Sequence, residues 1–204
     1  MTGQDELGRV LTEIRKRGLL LLTDRQIPNL TTLIAGEPVR GSWWGHPRSH
    51  DIFAMTQLLG HHPDVLRARL VAKKITYVHR SFWSALIGVA TSREAWQLSD
   101  LSPAALSILG KVEVAGQIRS DDLGKIPGPG PAIRELEDRL LIDSREVHTA
   151  SGTHRKVLQT WDRWKAQFKW SGRRMSPDDA RRRIEKTLEL LNREFEGNAR
   201  LPWA

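Results

Sequence analysis

The hydrophobic period of this chain changes at Asp143, and that change limits what the surrounding residues can fold into. Upstream, the Gly/Pro turn Gly128-Pro129-Gly130-Pro131 opens a run in which Ile133, Leu136, Leu140 and Leu141 recur at helical spacing. They form one apolar face of an α-helix. Pro131 suits the first helical turn, where its missing N–H has no partner to lose. Downstream, Arg145, Val147 and Thr149 alternate, Ser151-Gly152 supplies a turn, and Arg155-Lys156-Val157-Leu158 returns. That is the pattern of a β-hairpin. Ahead of the Gly/Pro turn, Pro103 to Val112 is apolar at helical spacing and Ser120 to Leu123 is a short polar piece. Two helices, a tight turn, a third helix and a basic hairpin predict a winged helix-turn-helix over residues 101–170. The plainer alternative is a helical domain carrying one hairpin.

Residues 1–100 read as an α-rich domain with short strands. A helix over Asp5–Arg17 buries Leu7, Val10, Leu11 and Ile14, with acids near its start and Arg15-Lys16-Arg17 near its end, as the helix dipole favours. Gly18 caps it. Leu19 to Thr23 reads as a short strand, and a second helix follows Pro28. Pro47 opens a third, carrying Ile52, Phe53, Met55 and Leu59. Pro63 to Leu70 reads as a further short helix, Lys73 to His79 as a strand able to pair with Leu19–Thr23, and Phe82 to Val89 as a buried helix capped by Ser81. Thr91 to Leu101 reads as a linker. Three helices followed by a strand would suit a degenerate first winged helix, making the fold, mainly α with small β-hairpins, a tandem. Residues 171–204 hold a strong helix start at Ser176-Pro177-Asp178-Asp179, a stripe of Ile184, Leu188, Leu191 and Phe195, and a tail.

The 204 residues include no cysteine, which excludes disulfides and thiolate metal sites and suits a reducing cytoplasm. No apolar run reaches the length of a membrane span. The net charge of +8 points to a polyanion, nucleic acid above all. Its distribution is uneven. Arg145 to Arg183 carries eleven Lys/Arg and four Asp/Glu, a net of +7, whereas Ile118 to Asp143 carries four and six, a net of −2. Phosphate contacts are therefore expected from the hairpin, at Arg145, His148, His154, Arg155 and Lys156, and from Arg181 and Arg182. Glu135, Glu137 and Asp138 are expected on the exposed face of the preceding helix, where they would repel phosphates and suit a protein surface instead.

Gly41 to His50 has the most unusual composition. Trp43, Trp44, His46, Arg48 and His50 together offer stacking surface and charge at a helix start, the makings of a binding pocket. His46 and His50, four apart, could share a metal. Asp51, Asp64 and His79 are available as a third ligand, but no spacing selects one, so neither metal nor cofactor is expected. The plain reading is a Trp-rich turn with solvated histidines. No Gly-x-Ser-x-Gly, His-Glu-x-x-His or glycine-rich phosphate loop is present.

Gly41 to His50, Tyr77-Val78-His79-Arg80 and the stretch after Ser102 resemble a group of small bacterial proteins of unassigned function. Those are themselves related to the winged-helix DNA glycosylases of the AlkZ type, which remove alkylated and crosslinked bases. The resemblance implies a winged-helix fold and a nucleic-acid partner. Such glycosylases carry a Gln-x-Gln or Gln-x-Asp triplet, and none of Gln4, Gln26, Gln57, Gln97, Gln117, Gln159 and Gln167 stands in one. The first expectation is a winged-helix protein that binds duplex DNA. The others are a glycosylase-like enzyme with its pocket at Trp43–His50 and a protein-interaction module.

Overall fold

The computed structural model describes residues 3–148 and 154–204. It is an α+β architecture, with helices around two small antiparallel sheets of three strands each. The expected hairpins are therefore parts of larger sheets.

Helix α1 (Gly3–Arg17) ends where expected, at Gly18. The Gly18 N–H donates to the Ile14 carbonyl at 2.8 Å with φ at +77°, and a Cβ there would lie 2.2 Å from the Phe82 ring, so only glycine fits. Strand β1 (Leu19–Leu21) follows, then α2 (Leu30–Ala35), capped by the Asn29 side chain, and α3 (Ser49–Gly60), which buries Ile52, Met55 and Leu59. Residues 65–69 are not the expected helix but strand β2 (Val65–Arg69), paired along its whole length with β3 (Ile75–His79). The pairing satisfies the backbone. It also sends Leu66 and Ala68 to one apolar cluster and Val65 to another, a division that period 2 allows and a short helix does not. Strand β3 also pairs with β1, as expected, giving the order β1-β3-β2.

Helix α4 (Trp83–Ala90) begins after a 3-10 turn that contains Ser81, and seven of its eight residues are buried. The expected linker contains a short helix, α5 (Ala95–Leu98). Buried Gln97 fixes it by donating to the carbonyls of Ala90 and Arg139.

The second unit opens with α6 (Pro103–Ala115), capped by Ser102. Where a second helix was expected, Gln117–Arg119 forms strand β4 and Ser120 to Ile126 is a turn with no helix. The run is polar and short, with Gly124 at φ +74°, and it cannot bury a helical face. Helix α7 (Pro129–Asp138) comes next, then β5 (Asp143–His148) and β6 (His154–Gln159). The turn at Ser151-Gly152 lies outside the described residues. The sheet order is β4-β6-β5. Residues 3–79 and 103–159 thus share one plan: helix, strand, connection, helix, then two strands of which the last is central.

Helices α8 (Trp161–Gln167) and α9 (Pro177–Glu194) close the chain. Ala180, Ile184, Leu188 and Leu191 of α9 pack on α4 and the outer face of the first sheet, in one cluster with Leu140, Trp161 and Trp164. The other face of that sheet packs under α1, α2 and α3, and the second unit has its own cluster around Leu136 and Leu158. The tail docks, with Trp203 against Trp96 and donating to Glu185 at 2.7 Å. Among the described residues no helix is long and apolar enough to cross a membrane.

Candidate functional site

The second sheet sorts the hairpin cations by face. Directly opposed residues of an antiparallel pair share a face. Arg119 and Arg145 both oppose Val157 on the central strand, and Arg155 lies two residues before it. All three arginines therefore stand on one face. Arg119 holds Asp121 with two hydrogen bonds of 3.0 and 2.8 Å, and Arg155 lies 3.7 Å from the same carboxylate. The hydrogen bonds from Arg119 pull the Asp121 carboxyl down to about 2. Arg145 is exposed and makes no ion pair among the described residues.

Lys156 points the other way. Its Nζ lies 2.5 Å from Glu137, which also accepts from the Ser144 hydroxyl. The strand ends pair His148 with His154, and both side chains lie outside the described residues. Arg181 and Arg182 stand elsewhere, on α9. Arg181 is held by Glu94 and Asp178, and Arg182 by Asp179. The structure therefore brings Arg145 and Arg155 together, adds Arg119 to them, and engages Lys156, Arg181 and Arg182 in ion pairs.

Helix α7 is not the open acidic surface that its sequence suggested. Glu137 is buried beneath the sheet. Glu135 accepts from the Ser102 hydroxyl at 2.7 Å and lies 3.8 Å from Arg139. Asp138 pairs at 2.5 Å with Arg69 of β2, so the first unit's hairpin lies against this helix. Each acid thus meets a cation or donor of the same chain.

The Trp-rich turn forms a ledge at the start of α3. Trp43 and Trp44 stack with centroids 4.0 Å apart, and Phe53 lies 5.7 Å from Trp44. His50 is exposed. His46 accepts from the Arg48 N–H through Nδ1, and its Nε2 lies 3.6 Å from Glu37. Arg48 is a tie rather than a free cation. It bonds Glu6 of α1 at 2.7 Å and Asp51 at 2.8 Å, and it donates to the Ile34 carbonyl of α2. Among the described residues no three His, Asp or Glu side chains gather as a metal site.

Comparison with protein-family models, with curated proteins and with solved structures finds no match.

One further site was invisible in the sequence. A cavity of about 170 Å³ separates β2 from β5, with Arg67, Arg69, Arg134, Glu137, Asp143 and Lys156 in its wall. Burial pushes the Asp143 carboxyl up to about 6, against a hydrogen bond from Gln159 and the nearby charges of Arg67 and Arg145. Gln159 donates to Asp143 at 2.8 Å, and its own buried Oε1 has no hydrogen-bond partner among the described residues. A two-residue turn at Ser151-Gly152 would have set Asp143 opposite Thr160, one residue away from its observed partner Gln159. Nor could the approach of β2, about seventy residues away, be read from the hairpin pattern.

Proposed function

We propose that the chain is a nucleic-acid-binding protein of two winged-helix units, and that the second unit grips the backbone of duplex DNA with the outer face of its sheet. The observation that carries this reading is the placement of Arg119, Arg145 and Arg155 on one face of β4-β6-β5, while the acids of α7 are engaged within the protein. The order of elements in both units and the sheet orders β1-β3-β2 and β4-β6-β5 support a winged-helix assignment. Contacts from such a face go to phosphates, so they add affinity with little sequence preference. Helix α7 favoured a protein partner when read alone, but its partner is the first unit's hairpin. The resemblance to small proteins related to AlkZ-type glycosylases suggests the same nucleic-acid partner. It brings no catalytic residue with it, and the purified protein is expected to release no methylated purine from alkylated DNA.

The test is a duplex-binding titration across a salt series. Wild-type affinity should fall with salt, and the double variant Arg145→Ala, Arg155→Ala should flatten the slope of log affinity against log salt by about two units. A wild-type protein that binds no duplex at low salt overturns the reading. So does a folded double variant with unchanged slope.

A further inference from the structure

Trp44 is 62% exposed although two other aromatic rings adjoin it. Trp43 covers one face of its indole, with planes 24° apart, and Phe53 approaches at a tilt of 40°. With both neighbours in place, more than half of the Trp44 surface still faces solvent. Trp43 is itself packed against the core under α1, α2 and α3, so the stack is anchored and cannot fold away.

Just before the stack, the chain borders an open cavity of about 600 Å³ whose wall includes Asp24, Arg25, Arg40, Gly41 and Lys74. Asp24 pairs with Lys74 at 2.8 Å. Arg25 and Arg40 are exposed and make no ion pair among the described residues. Gly41 is two residues from Trp43, so their Cα atoms are at most about 8 Å apart. A fixed, exposed ring thus lies four residues along the chain from Arg40, which shares the cavity wall with Arg25, and neither guanidinium is paired among the described residues.

We propose that this ledge binds an unpaired strand of nucleic acid, with a base stacked on Trp44 and the flanking phosphates on Arg25 and Arg40. Every base offers a π-face to an aromatic ring, and a basic groove follows the backbone between stacked bases. An intact duplex hides those faces in its own stack, so the ledge is of use only where a strand is open. The proposal rests on the nucleic-acid reading above and adds to it the state of the strand.

The experiment measures binding of the full chain to labelled oligothymidylate, oligouridylate and a duplex of equal length. Trp44→Ala should weaken single-strand binding by about tenfold and leave duplex binding within about twofold. Trp44→Phe should keep most of the affinity. Arg25→Ala with Arg40→Ala should flatten the single-strand salt slope by about 1.4 units, since single strands lose about 0.7 per contact. A preference for oligouridylate over oligothymidylate would support the ledge equally and assign the strand as RNA. Duplex binding without single-strand binding, or a Trp44→Ala protein that binds oligothymidylate as the wild type does, overturns the proposal and leaves the duplex reading standing. Binding to none of the three overturns both.

Discussion

The two units share one plan and expose opposite parts of it. In the first, α3 keeps an open side, with His50, Asp51, Ala54, Gln57 and Leu58 exposed, while the hairpin is enclosed. Arg69 of that hairpin holds Asp138, and at its tip the Ala72 N–H donates to the Arg200 carbonyl at 2.7 Å. In the second, α7 is enclosed and the sheet face is open at Arg119 and Arg145. One unit's hairpin covers the other's helix. Topology therefore does not say which surface a unit offers; the packing of the units on each other does.

The largest expected effect would break the idea that the units stand on a common core. Trp164 lies in the cluster shared by α4, α9 and the first sheet, with its ring 5.0 Å from Trp83. Trp164→Ala should cost about 3–5 kcal/mol, and calorimetry should still show one transition. Two separated transitions would mean that the units melt independently.

Next in size is the carboxyl buried between the units. Burial holds the Asp143 carboxyl at about 6, well above the ordinary aspartate value of 3.8. The native state therefore holds its proton to higher pH than the unfolded chain does, and stability falls as pH rises from about 4 to about 6 and is level above that. The fall attributable to this group is about 3 kcal/mol. Asp143→Asn should remove it and melt at a higher temperature than the wild type at neutral pH. Equal pH profiles for the two proteins in urea denaturation would rule this out.

A smaller effect is expected where the units touch. Arg69→Ala and Asp138→Ala should each cost about 1–3 kcal/mol, and the double variant should cost less than the two together. Strict additivity in the cycle would show that the pair holds nothing. Smallest of all is Lys156→Gln. Lys156 is engaged by Glu137, so the duplex salt slope should stay within experimental error of wild type. A slope lowered by a full unit would place Lys156 on the binding face and sink the facial sorting of the hairpin.

What the sequence revealed follows the range of the interactions. Ile133 and Leu136 share the apolar face of α7 as their spacing predicts. The helix ends at Asp138, however, so Leu140, with φ at +55°, turns into the cluster with Trp161 and Trp164, while Leu141 stays with Leu136 from beyond the helix. Strand β1 pairs with β3 as their leucine and β-branched content suggested. Residues 65–69 misled because Val-Leu-Arg-Ala-Arg is compatible with helix, and only pairing with β3 decides for strand. Ser120 to Ile126 misled because a helix was required there by analogy with a fold rather than by any apolar stripe. For the site, the basic hairpin was visible and strand alternation alone separates Arg155 from Lys156, but grouping Arg119 and Arg145 with Arg155 needed the register. The ion pairs of Asp138 and Arg181 join residues far apart in the chain and left no local trace.

Helix α4 and the start of α9 press closely enough that a Cβ on Gly88 would lie 3.2 Å from the Ala180 methyl and 2.6 Å from the carbonyl oxygen of Met175, just ahead of α9. The partners come from either side of the whole second unit, so that unit sits as a guest inside a host whose two parts it interrupts. Bringing the host together means closing a loop of about ninety residues, but the entropy of closure grows only logarithmically with the free chain. A guest that folds first shortens that chain to its own end-to-end span. The second unit is then a spacer for the folding of the first, and weakening Leu136 or Leu158 should slow formation of the α4–α9 contact without touching a residue in it.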